Sequence, residues 1–125
     1  MDDNQKFMQV GRFIYGFQRV RMTLACLYQM LDDSGHAELE LAELASRTAA
    51  LFARRRAADA VAVSGFNAVI EVVQKYGARL DELLAQVDLD KVPDEDELQG
   101  LLNCQHELER YQRLLASTPD DVAGS

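Results

Sequence analysis

Apolar residues recur at alternating steps of three and four through most of the chain, the spacing of helices that bury one face. From Asn4 to Leu31, the residues Phe7, Val10, Ile14, Phe17, Leu24, Tyr28 and Leu31 fall on one seam, interrupted only by Arg21. Phe13, Val20 and Leu27 flank that seam and widen it to a bundle-type face. Gly11 and Gly16 each weaken such a helix by about 1 kcal/mol relative to alanine, a cost that close helix approach would explain. Asp32-Asp33-Ser34-Gly35 then stops the helix and offers caps for a second one beginning near His36 or Ala37.

In the second helix, Leu41, Leu44, Leu51 and Phe52 mark the buried side. Glu40, Arg47 and Arg54 recur every seven residues as a polar stripe, and Glu43 precedes Arg47 by four, the favourable order for a helical ion pair. Arg54-Arg55-Arg56 suits the negative end of the helix dipole. Residues 57–65 are ambiguous. Alanine favours continuing the helix, whereas Ser64-Gly65 is a breaker and Ser64 a cap. An unbroken, kinked helix over 37–87 would be about 75 Å long, far beyond the usual globular helix, so a break is expected near Ala60–Gly65.

The third helix carries the cleanest pattern: Phe66, Val69, Val73, Tyr76, Leu80, Leu83 and Val87, broadened by Ile70 and Leu84. The fourth starts near Pro93 or Asp94, where Asp94 and Glu97 spell a capping box. Leu98, Leu101, Leu102, Leu108, Leu114 and Leu115 line its buried side, with Gln105 and Gln112 in the seam. These elements predict an all-α fold, an antiparallel helical bundle of about four helices in one domain over 1–117, with a flexible tail over 118–125.

Charge adds a bias to this picture. The net charge is −8, unevenly spread: 1–31 is slightly basic, 32–45 holds five acids and no base, 46–56 holds four arginines, and 57–125 holds fourteen acids against five bases. An acidic chain disfavours nucleic acid and anionic lipid as partners. The opening MDDNQKF has no basic stretch followed by an apolar run, so no secretory signal is expected. No run reaches the length of a membrane span. Two cysteines are too few for a disulfide scaffold, and a soluble, cytoplasmic setting is expected. The Ala-, Arg- and Leu-rich makeup suits a bacterial or phage protein.

Candidate chemistry is sparse. Cys104 and His106 are two apart, so a helix points them to different sides, and neither histidine belongs to a Glu-x-x-His metal pair. Cys26 reads as a small buried hydrophobe beside the first seam. Helical nucleotide pyrophosphohydrolases of the MazG type need Glu-x-x-Glu on one helix and Glu-x-x-Asp on a later one. Glu40 and Glu43 supply the first half, but Glu71 is followed by Gln74 where the second needs an aspartate. No catalytic residue, metal or cofactor is therefore expected.

Arg12 and Arg19, like Arg47 and Arg54, are seven apart, and pairing with nearby acids is the expected fate of both stripes. Arg21, placed in a seam, must snorkel, pair with a carboxylate or meet a partner. From Asp81 to Glu97 the chain holds eight acids against Lys91 alone. Acids at 94–97 favour a helix N-terminus, but Asp81, Glu82 and Asp88 oppose the dipole of the third helix. That surplus marks Asp81, Glu82, Asp88, Asp90, Asp94 and Glu95, with Arg21, as candidate partner-binding residues for a protein with a basic surface.

The sequence thus reads as a non-enzymatic, acidic helical protein-interaction module: an inhibitor or immunity-type protein, an adaptor or a secretion chaperone. The alternative is a helical-bundle enzyme or small-ligand-binding protein with its site between helices. A homodimer is also expected, on the ground that a long rod over 37–87 would leave Phe66, Val69 and Val73 uncovered.

Overall fold

A computed structural model describes residues 2–32, 39–86 and 88–117. They form four helices: α1 (Asp3–Leu31), α2 (Leu41–Arg55), α3 (Ala60–Ala85) and α4 (Glu95–Ser117), with no strand among the described residues. The all-α bundle expected from the periodicity is the observed fold. His36, Val87 and the tail 118–125 lie outside the described residues.

Each boundary has a local cause. Asp2 and Gln5 form a reciprocal capping box at the start of α1. At the start of α4, the Asp94 carboxylate accepts from the Glu97 backbone N–H at 2.8 Å. The other half of that expected box is diverted: the Glu97 carboxylate accepts from Arg79 of α3 at 2.9 Å. Two expectations shift. Leu39 and Glu40 precede α2 rather than lying inside it. The break between α2 and α3 falls at 56–59, earlier than Ala60–Gly65, because Asp59 caps α3 by accepting from the Ala62 N–H at 3.0 Å.

Ser64 and Gly65 consequently sit inside α3. Gly65 serves close approach there, since a Cβ on it would run into the Tyr111 hydroxyl of α4. The same device recurs in reverse down the pair, where Tyr76 of α3 lies over Gly100 of α4. Two tyrosines on two glycines thus fix α3 against α4 at both ends.

Cross-helix contacts give the directions. Phe52 stacks on Phe66 at 4.2 Å between ring centres, and Tyr111 meets both rings edge-on. With Leu41 packed at Gly77, α2 and α3 run antiparallel, as do α3 and α4. The first helix departs from the antiparallel expectation. Arg12 meets Glu95 and Thr23 meets Gln105, so α1 runs parallel to α4. Arg21 bonds the Leu39 carbonyl and Arg55 the Leu31 carbonyl, so α1 also runs parallel to α2.

The core is one cluster fed by all four helices. From α1 it takes Phe13, Phe17, Val20, Leu24, Leu27, Tyr28 and Leu31. The register of α1 therefore differs from the expected one. Phe13, Val20 and Leu27 are fully buried at its centre, whereas Phe7 and Arg21 are exposed. The rod-based ground for a homodimer also falls away, because Phe66 and Val73 are fully buried within the chain and Val69 is half-buried. Leu84 and Leu102 are exposed, Leu114 and Leu115 half-buried, and Cys104 rather than Cys26 is the buried cysteine.

Candidate functional site

The first helix has a second seam on its solvent side. Met8, Gly11, Tyr15, Gln18 and Met22 step by three and four, and at 100° per residue all five fall within about 80° of arc. None carries a charge. Met8, Tyr15 and Met22 are 66%, 66% and 68% exposed, and nothing lies within 4 Å of where a Cβ on Gly11 would stand. A solvent face of a bundle helix is ordinarily charged. This one is apolar at every seventh position.

On its α4 side the seam is edged by Arg12 and Arg19. Between them runs a groove of about 210 Å³, lined also by Tyr15, Leu98, Leu102 and Gln105. Leu102, expected in the core, lies at its outer wall with 41% exposure. Gln105 is buried and donates to the Thr23 hydroxyl at 2.8 Å, while its own carbonyl oxygen has no partner. Arg12 holds Glu95 at 2.9 Å, which keeps the Glu95 carboxyl below the usual carboxylate range. Arg19 makes no ion pair among the described residues, nor does Arg54. Arg47 pairs with Glu43 at 2.6 Å as its spacing predicts.

The structure divides the predicted partner-binding residues between two places. Asp88, Asp90, Asp94 and Glu95 gather where the α3–α4 connection meets the first turns of α1, and several already have internal roles. The Asp88 carboxylate accepts from the Asp90 N–H, Asp94 caps α4, Glu95 holds Arg12, and Asp90 lies 4.0 Å from Lys6. Glu82 stands 3.8 Å from Arg79. Arg79 itself ties the corner together by donating to Glu97 and to the Lys91 carbonyl. Asp81 points elsewhere, into a groove of about 500 Å³ shared with Arg21, Glu40, Leu41, Gln74 and Gly77. Arg21 is no seam residue. It is exposed at the edge of α1 and donates to the Leu39 carbonyl at 2.8 Å, tethering the chain just before α2.

Cys104 is buried and His106 exposed, on different sides of α4 as their spacing requires. Burial, with the Glu107 charge second, pushes the Cys104 thiol up to about 11. It stays protonated at neutral pH and is a poor nucleophile. Among the described residues, no three His, Cys, Asp or Glu side chains are placed to share a metal ion. No described helix is long and apolar enough to cross a membrane. The chain matches no known protein family, no curated protein and no solved structure.

The outer seam escapes a reading of the sequence that assigns one apolar face per helix. Its signal is nonetheless present: Met8, Tyr15 and Met22 are seven apart, like Arg12 and Arg19 beside them.

Proposed function

We propose that this chain is a helical protein-interaction module whose docking surface is the outer seam of α1 together with the α1–α4 groove. The observation that carries this reading is the uncharged, exposed row Met8, Tyr15 and Met22 flanked by Arg12 and Arg19. Tyrosine, methionine and arginine are enriched in protein interfaces, and tyrosine and arginine among their hot spots. Methionine adds a flexible apolar contact that adapts to a partner's shape. An inhibitor, an adaptor and a secretion chaperone all require such a face and differ in what they place on it. The net charge of −8 acts at longer range, speeding encounter with a basic partner and repelling an acidic one.

The test is site-specific photocrosslinking in the organism that encodes the chain. A photoreactive residue replaces Tyr15 in one variant and Val61, an exposed residue of α3, in another. A discrete protein adduct at position 15 and none at position 61 is the expected result. No adduct at either position, or the same smear at both, contradicts the reading.

A further inference from the structure

We infer that the α1–α4 groove receives a tryptophan side chain of the partner, with its indole N–H donating to the Gln105 carbonyl oxygen and its ring against Arg19. The inference rests on the proposed docking surface and names the anchor that a partner sets into it.

The requirement for a donor comes from the groove's buried polar residue. Gln105 is 5% exposed and lines the groove. Its amide can stand only one way round. The Thr23 hydroxyl has one proton, which it donates to the Arg19 carbonyl at 3.0 Å. That hydroxyl can therefore only accept, and it accepts from the Gln105 amide nitrogen at 2.8 Å. The Gln105 oxygen is left without a donor and is shielded from solvent, so water does not supply one. A buried acceptor in this state carries a desolvation penalty that a donor from outside relieves. Leu102 forms part of the wall and is 41% exposed. Its side chain turns outward as the ring enters and opens the path to the oxygen.

The rest of the groove selects among donors. Arg12 and Arg19 disfavour an ammonium or a guanidinium. A carboxylate would suit the arginines but brings only acceptors to an oxygen that lacks a donor. Tyr15, Gly16, Leu98, Leu101 and Leu102 complete the lining, which favours an apolar body over a serine or an asparagine. Indole combines an apolar body with one donor and no acceptor, and its face attracts a guanidinium. Arg19 makes no ion pair among the described residues and can take up that contact, whereas Arg12 is held by Glu95. The ring is uncharged, so the net charge of −8 does not oppose it. This chain contains no tryptophan, so the anchor belongs to a different polypeptide. Tryptophan is among the commonest interface hot spots.

The experiment is an amide NMR titration of the full chain with N-acetyl-tryptophanamide and with its 1-methylindole derivative, which lacks the N–H. The first should shift Arg19, Leu102 and Gln105 with a dissociation constant on the order of 1 mM, the weak binding expected of one side chain. The methylated probe should bind about 5-fold more weakly, the loss of one hydrogen bond. In Gln105→Met, with its fold checked by thermal melting, the two probes should bind equally, because the acceptor is gone. Arg19→Gln should weaken both probes about 3-fold through loss of the cation–π contact. Absence of shifts at the groove overturns the inference, as does equal binding of the two probes to the wild type, which requires no variant to fold. Micromolar binding of free indole would make the groove a small-molecule site and overturn its assignment to a partner's side chain. If position 15 crosslinks to a polypeptide that contains no tryptophan, the docking surface stands and the anchor assigned to it fails.

Discussion

The inner and outer seams of α1 obey the same spacing and meet opposite fates. Val10, Phe13, Phe17, Val20, Leu24, Leu27 and Leu31 step by three and four along the inner side and are buried. Met8, Gly11, Tyr15, Gln18 and Met22 step the same way along the outer side, where its large side chains stand in solvent. Periodicity says that a face is suited to packing. It does not say whether the packing partner lies in the same chain. Composition separates the two: the inner seam is Phe, Val and Leu, which fill a fixed core, and the outer seam is Met, Tyr, Gly and Gln, which suit an adaptable contact.

The largest effect that sharpens this contrast is truncation on the inner side. Phe17→Ala should cost about 3–5 kcal/mol in denaturant unfolding, the usual loss for a buried phenylalanine. A loss under about 1 kcal/mol would mean that the inner seam is not the core side. In α3, Val73→Ala and Leu80→Ala should each cost about 1–4 kcal/mol. The ratio between them tests burial further, since Val73 is fully buried and Leu80 only half. Wild-type stability in both variants would put the α3 seam at the surface.

The two cysteines make the same comparison by reactivity. Cys26 is exposed and Cys104 buried, so a thiol reagent should label Cys26 in the folded protein and Cys104 only on unfolding. The Cys104 thiol ionises near 9.0 when unperturbed and near 11 in the fold. Above about pH 9 the unfolded chain gives up a proton that the folded chain keeps, so stability is full below that pH and falls as pH rises toward 11. Cys104→Ala should remove this part of the alkaline slope. An unchanged slope would place the titrating group elsewhere. The smallest expected effect is on the outer side, where Tyr15→Ala should change monomer stability by no more than about 0.5 kcal/mol. A larger loss, measured at a concentration too low for association, would make Tyr15 part of the fold.

Much of the fold was readable because helix signals are local. The Asp94 cap, the Glu43–Arg47 pair and the run of buried positions at Phe66, Ile70, Val73 and Leu83 follow from residues three and four apart. What was not readable depended on distant groups. Val10, Phe17, Leu24 and Leu31 belong to two possible registers of α1. Choosing Phe13, Val20 and Leu27 over Phe7, Ile14 and Arg21 requires knowing on which sides α2 and α4 pack. Ser64-Gly65 resembles a break until Tyr111, far along the chain, is seen lying over Gly65. The parallel run of α1 and α2 follows from the bonds Arg21 and Arg55 make to carbonyls across the interface, which no periodicity encodes. The acidic stretch was plain as charge, yet its split into caps, ion pairs and solvated groups required the positions of Lys6, Arg12 and Arg79.

The central claim is that the outer seam of α1 is covered in the cell, and methionine oxidation footprinting tests it directly. Met8 and Met22 lie on the outer seam, while Met30 is half-buried near the end of α1 and serves as the internal reference. Oxidation rates at the three sites are compared between dilute purified protein and the protein in its native cells. Met8 and Met22 should oxidise several-fold more slowly in the cell, with Met30 unchanged. Equal rates at Met8 and Met22 in both settings would mean that the outer seam is bare in the cell, and the account would be wrong.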